Sequence, residues 1–241
     1  ATLASLLAAA GDDRINSITF MVCVLNPQKE DSELGQIVSD GSLEIARAYS
    51  KKKGILKGDD LARMFAWMRP NDLIWNYWVN NYLLGNEPPV FDILFWNNDT
   101  TRLPAAFHGD LIEMFKNNPL TRANALEVCG TPIDLKQVKS DIFCLAGTND
   151  HITPWVSCYK SARLFGGKTE FVLSNSGHIQ SILNPPGNPK ARYMTNPELP
   201  EDAQRWQEDA TKHTDSWWLH WHNWQAERSG KLKKAPASLG N

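Results

Sequence analysis

The stretch Ile142–Ile182 begins IFCLAGTNDHITPW (142–155) and ends TEFVLSNSGHIQSI (169–182). Each half opens with an apolar run of strand length and runs into Gly, Ser, Asn or Asp, and the residues between suit one short helix. The expected order is strand, loop, helix, strand, loop. Asp150 falls just past the first strand and His178 just past the second. The 28 positions between them hold one helix and one strand, which brings two parallel strand ends side by side. Centres built from a nucleophile, an acid and a histidine on such loops follow that chain order. Here the acid and the histidine are legible and the nucleophile is not.

Each residue also has a plainer reading. Asn149-Asp150 is a good turn pair after a strand, and only the histidine on the neighbouring loop argues for more. His178 follows Ser-Asn-Ser-Gly, and it could be a surface loop residue. With a buried carboxylate on Nδ1, however, its tautomer would be fixed and Nε2 left free as a base. His151, adjacent to Asp150, is expected to point away from it and to have a supporting or purely structural role. A strained elbow of the form G-x-[Ser or Cys]-x-G, which would present a nucleophile, is absent. Cys23 and Cys144 lie in apolar strand-like runs, Cys158 lies in a helix, and Cys129 lies in V-C-G-T. Because an elbow sits between a strand and a helix, and residues 1–10 read as a helix leading to the next strand, the nucleophile is expected shortly before Ala1. The chain is thus expected to be part of a longer protein.

Composition narrows the class. The chain has 241 residues, 42% of them hydrophobic, with ten tryptophans. Net charge is −2, from 25 Lys and Arg against 27 Asp and Glu, so no general attraction to nucleic acid or anionic membrane is expected. No apolar run approaches the length of a membrane span. The four cysteines show no metal-type spacing and suit reduced thiols in a cytosolic protein. His220 and His222 stand two apart and cannot share a helical face, and no Gly-rich phosphate loop is present. Neither a metal nor another cofactor is expected. Trp217, Trp221 and Trp224 form one helical stripe, expected as core packing.

Along the chain, SITFMVCVL (17–25) reads as a parallel strand covered on both faces. From Pro27 to about residue 125 the pattern changes to short amphipathic helices at Ser42–Tyr49, Asp59–Trp67 and His108–Asn117, with no central strand. The KKKGILKG turn (51–58) reads as a solvated face. Asn71–Leu84 is helical in length and apolar almost all round, so it should be buried or face a partner. The aromatic FDILFWNN (91–98) follows between prolines. After this lobe come a strand at Ser140–Leu145, a helix capped by Thr153-Pro154, a strand at Thr169–Leu173, the loop NPPGNPKARY (184–193), and helices over 200–212 and 214–228. The expected architecture is an α/β-hydrolase fold, a mostly parallel sheet with helices on both faces. Its core is expected over 1–26 and 126–241, with an inserted helical cap over 27–125.

DHITPW (150–155), SNSGHIQSILNPPGNPKA (174–191), FAWMRPNDLIWNYWVNNYLLG (65–85) and FDILFWNNDTTRLPA (91–105) together resemble the polyhydroxyalkanoate synthases, most closely the class II, medium-chain-length type. The resemblance covers essentially the whole chain and corresponds to the later part of the catalytic domain. It implies an acyltransferase that polymerises (R)-3-hydroxyacyl-CoA into polyester with release of CoA. A cysteine in a G-x-C-x-G-G box is its nucleophile. Asp150 in NDHITPW matches that family's aspartate, and His178 in SGHIQ matches its base. Gln180 matches a position tied to side-chain preference of the substrate. The resemblance further implies a homodimer in the cytoplasm, on the surface of polyester granules and among granule-associated proteins, and an isolated 241-residue chain that does not turn over. Two alternatives are a capped hydrolase (thioesterase or esterase) with serine in the elbow, and a non-catalytic granule-associated α/β protein.

Overall fold

The computed structural model describes residues 1–31, 38–68, 70–88, 90, 99–235 and 238. The chain divides into two compact units, Ala1–Pro27 with Pro119–Asn241, and Gln28–Asn118.

The first unit is built on a five-stranded sheet. Its strands are β1 (Ser17–Met21), β2 (Asp141–Gly147), β3 (Thr169–Ser174), β4 (Tyr193–Thr195) and β5 (Thr211–His213), in that spatial order. The first three are parallel, with Ile18 opposite Ile142 and Cys144 opposite Phe171. The last two are shorter and antiparallel. β2 and β3 read as unbroken apolar runs because both faces are covered: Phe143, Ala146, Phe171, Val172 and Leu173 are fully buried. On one face, Phe143, Leu145 and Val172 pack against Trp217 and Trp224 of the C-terminal helix α5 (Trp217–Ala226), with Trp221 alongside. On the other, Phe171 meets Tyr159 of helix α2 (Trp155–Ala162) at 5.1 Å and Trp206 of α4 (Ala203–Glu208) at 4.9 Å, both edge-on. Edge-to-face rings of this kind add about 0.5–1.5 kcal/mol each beyond the area they bury. The helix α1 (Thr2–Ala9) is tied down by Ser5, whose hydroxyl donates to the Asp134 carbonyl and accepts from the Asp134 N–H, both at 3.1 Å.

Three sequence expectations for this unit change. The strand expected to run to Leu25 stops at Met21, where Val22 takes φ 46°. It is half-buried throughout, because it is the outermost strand of the described sheet and has β2 as its one neighbour. Cys23 therefore lies past the strand rather than in it. The helix expected over 200–212 is the short α4, followed by strand β5. β4 also emerges from residues expected to continue a loop. Cross-strand contacts decide both cases: Tyr193 lies opposite His213 and stacks on it at 4.5 Å, and Thr195 Oγ1 hydrogen-bonds His213 Nε2 at 2.8 Å.

The second unit contains helices Asp40–Lys53, Gly58–Met68 and Ala105–Asn117. The first starts with a reciprocal Ser39–Ser42 cap and ends at Gly54, whose φ of 76° suits glycine. Lys51, Lys52 and Lys53 are exposed in its last turn, where they complement the helix dipole. A two-residue ladder pairs Ile55–Leu56 with Leu103–Pro104. Asn71–Trp75 and Trp78–Leu83 wind as π-helix, and Trp75, Trp78, Tyr82 and Leu83 are exposed rather than buried. The aromatic stretch 91–98 lies outside the described residues. Among the described residues no helix is long and apolar enough to cross a membrane.

Candidate active site

Two loops at neighbouring strand ends carry the expected acid and histidine. Asp150 follows β2, and His178 opens the five-residue helix α3 (His178–Ile182) that follows β3. The loops are joined through their backbones. Thr148 N–H donates to the Ser174 carbonyl at 2.9 Å, and Asn149 N–H donates to the Ser176 carbonyl at 3.1 Å. Ser176 is held at φ 87°, a conformation that costs a non-glycine residue energy and persists only when its surroundings fix it. Gly147 at the end of β2 permits this approach. A Cβ there would stand 2.8 Å from the Ser176 carbonyl oxygen and 2.8 Å from Ser181 Oγ.

The structure brings Asp150 and His178 together. His178 Nδ1 donates to Asp150 Oδ2 at 2.7 Å, with the Asp150 side chain fully buried and the His178 side chain 28% exposed. Asp150 Oδ2 also accepts the Thr153 hydroxyl at 2.7 Å. Its Oδ1 accepts the N–H groups of Ile152 and Thr153 at 2.9 and 2.8 Å. Burial pushes the Asp150 carboxyl up, but His178, the Thr153 N–H and the Thr153 hydroxyl outweigh it and hold the group below its ordinary 3.8. The carboxylate is therefore ionised at neutral pH. With Nδ1 engaged, the Nε2 of His178 is the nitrogen left to exchange a proton with another molecule.

Thr153 is the partner that sequence reasoning missed. It was expected to cap α2 together with Pro154, but Pro154 itself occupies the N-cap position without a side-chain bond, and the Thr153 hydroxyl turns to Asp150. Its oxygen also lies 3.2 Å from His178 Nδ1. The available signal was the Asp-x-x-Thr spacing, since an aspartate readily accepts from backbone two and three residues ahead. Ser181, fully buried, was also unanticipated; its hydroxyl donates to the His178 carbonyl at 3.1 Å. His151 is half-buried next to Asp150. Gln180 is exposed on α3, two positions and hence about 200° around the helix from His178, and makes no hydrogen bond to either member of the pair.

The cysteines divide by position. Burial pushes the thiols of Cys144 and Cys158 upward, the latter helped by the Asp150 charge, and burial raises Cys23 as well. Buried thiols held protonated are poor nucleophiles. Cys129 is exposed at φ 51° in the hairpin between Glu127–Val128 and Thr131–Pro132, with Gly130 at φ 76° completing a tight turn. Among the described residues no group of three or more His, Cys, Asp or Glu is arranged to hold a metal ion.

A parallel-stranded core with an acid after one strand and a histidine after the next is the arrangement of the alpha/beta hydrolase fold. Residues 1–185 match that family, and the chain belongs to it. Over 234 residues the chain is 70% identical to poly(3-hydroxyalkanoate) polymerase 1 of Ectopseudomonas oleovorans, covering 97% of this chain and 42% of that protein. It is 57% identical over 228 residues to poly(3-hydroxyalkanoate) polymerase 2 of the same organism, covering 95% of this chain and 40% of the relative. It is 38% identical over 246 residues to the poly(3-hydroxyalkanoate) polymerase subunit PhaC of Cupriavidus necator, covering 100% of this chain and 42% of the relative. The chain thus spans about two fifths of the length of the curated relatives it matches.

Proposed function

We propose that this chain carries the acid–base half of a polyester synthase that joins (R)-3-hydroxyacyl units of medium chain length from CoA thioesters into polyhydroxyalkanoate. The observation that carries the reading is the 2.7 Å contact of a buried Asp150 with His178 Nδ1, at adjacent parallel strand ends, in a chain 70% identical to a poly(3-hydroxyalkanoate) polymerase.

In this reading a cysteine from sequence beyond these 241 residues is the nucleophile, so the isolated chain does not turn over. His178 Nε2 takes the thiol proton, and the thiolate attacks the thioester carbonyl. The carbon–sulfur bond to CoA breaks, and the imidazolium returns its proton to the departing thiolate. Nε2 then takes the proton of an incoming 3-hydroxyl. The resulting alkoxide attacks the acyl-enzyme, forming the ester and releasing the enzyme thiolate, which His178 reprotonates. Asp150 holds the tautomer and stabilises the imidazolium in both steps. Gln180, exposed on α3, bears on the side chains accepted. The lobe over 27–125 is read as the cap that excludes water, since hydrolysis of the acyl-enzyme would end the polymer. A homodimer at the surface of cytoplasmic polyester granules completes the reading.

The test is CoA release from (R)-3-hydroxydecanoyl-CoA by the protein expressed from its complete coding sequence, with the product analysed as polymer or free acid. His178→Ala should abolish release while the circular dichroism spectrum is retained. Release at the normal rate removes His178 from the chemistry, and free hydroxy acid as the product from the unaltered protein replaces the polymerase with a thioesterase. Sustained CoA release by the 241-residue chain alone would refute the placement of the nucleophile.

A further inference from the structure

α3 is five residues long, too short to hold itself in place by its own backbone bonds. The last four carbonyls of any helix lack partners within it, and in so short a helix they follow the histidine directly in sequence. The structure fills two of them from one other element. Trp217 Nε1 donates to the Ser181 carbonyl at 2.7 Å, and Trp218 Nε1 donates to the Ile182 carbonyl at 2.8 Å. Just beyond, the Ser216 hydroxyl donates to the Asn184 carbonyl at 2.5 Å while accepting from the Trp218 N–H at 3.1 Å. Three consecutive residues at the start of α5 thus engage the end of α3 and the turn after it.

Core packing does not account for this pattern. Successive helix residues point about 100° apart, yet the two indoles reach consecutive carbonyls. Trp217 is 2% exposed and packs on Phe143, so its ring has a core role besides the bond. Trp218 is 37% exposed, and its N–H bond to Ile182 is a tie that apolar burial does not explain. Trp217 also fixes the reference point. Phe143 lies on β2, the strand that leads into Asp150, so the tie registers α3 against the same strand that positions the acid.

We propose that Ser216, Trp217 and Trp218 are positioning residues for His178, which set the distance and angle of its ring relative to Asp150 by anchoring the carbonyl end of α3. The assignment rests on His178 acting as the base. Trp221 supplies an internal control. It is on the same helix, with its ring 6.1 Å from that of Trp217, but its Nε1 donates to Thr19 Oγ1 on β1 at 3.0 Å rather than to an α3 carbonyl. Trp→Phe removes the N–H at each position and leaves an aromatic ring.

The experiment compares Trp217→Phe/Trp218→Phe, Trp218→Phe alone and Trp221→Phe in the protein expressed from its complete coding sequence. It reads kcat and KM for CoA release together with the thermal midpoint. The expected result is a kcat at least tenfold lower for the double variant and a smaller loss for Trp218→Phe, with KM within twofold. Trp221→Phe should keep kcat within twofold at a comparable midpoint. Equal kcat losses in the double variant and Trp221→Phe would overturn the proposal, as would an unchanged kcat in the double variant. His178→Ala run alongside separates the two ideas. If it retains CoA release, the reading of the base fails; if it abolishes release while the double variant does not, only the anchoring role fails.

Discussion

Replacing Thr153 by valine removes one hydroxyl from the Asp150–His178 pair and little else in shape. In the native arrangement Asp150 accepts from Ile152 N–H, Thr153 N–H, the Thr153 hydroxyl and His178 Nδ1, all between 2.7 and 2.9 Å. Valine keeps the two backbone donors and the histidine but leaves a methyl against a carboxylate oxygen whose side chain has no solvent exposure. Losing a hydrogen bond to an ionised group costs about 1.5–3 kcal/mol. At about 1.4 kcal/mol per tenfold, full expression of that loss in the transition state lowers kcat by about ten- to a hundredfold. The same loss in stability, about 2 kcal/mol, lowers the melting midpoint by about 4–8 °C.

The assay is initial-rate CoA release with a parallel thermal melt, on Thr153→Val and Thr153→Ser in the protein expressed from its complete coding sequence. Serine retains the donor and should recover most of the activity and stability. A Thr153→Val rate within twofold of normal would refute the claim that the hydroxyl orients the carboxylate. A serine variant as impaired as valine would show that the methyl group, through packing, is what matters.

Asp150→Asn should cost about four orders of magnitude in kcat, as a mis-set imidazole tautomer does in the serine proteases. Its stability effect has a defined pH dependence: because the folded-state pKa lies below the ordinary 3.8, the contribution of Asp150 is present above that value and is lost as pH falls through the folded one. Chemical denaturation should therefore show the gap between Asp150→Asn and the parent narrowing in acid; a gap that widens there would contradict the direction of the shift. Gly147→Ala places a Cβ at 2.8 Å from both the Ser176 carbonyl oxygen and Ser181 Oγ, so the His178 loop must move away from β2. A fall in kcat larger than the fall in folded fraction is expected, and an alanine variant of normal activity would show that the loop shifts without consequence.

The legible features were those written in local pattern. β2 and β3 are continuous apolar runs, and an acid and a histidine directly past their ends needed only the parallel geometry to meet. Features decided by distant partners were hidden. Thr153 before Pro154 looks like a helix cap, and nothing in the string says that its hydroxyl serves Asp150 instead. β4 and β5 are three residues each and exist because Tyr193 and His213 find one another across 20 positions. SITFMVCVL gives no sign of a break, since a β-branched valine is a poor candidate for the positive φ that ends β1 at Val22. In Asn71–Leu84 the apolar residues lack a single face, so the pattern could require cover without identifying it.

The same division explains why the acid–histidine pair is set within this chain. Asp150 is fixed by bonds from its own loop, two of them from backbone, which constrain the carboxylate before any other group arrives. The backbone bonds from Thr148 and Asn149 then hold the second loop against the first, with Gly147 admitting the close approach. These contacts stabilise the left-handed Ser176, whose conformation turns the chain so that α3 begins at His178. The histidine side chain stays 28% exposed while Nδ1 is engaged, so under the proposed function alignment with a nucleophile rests on Nε2. Displacement of a reacting group by about 1 Å can cost a hundredfold in rate, so under the proposed function this loop network should hold the ring against such an excursion.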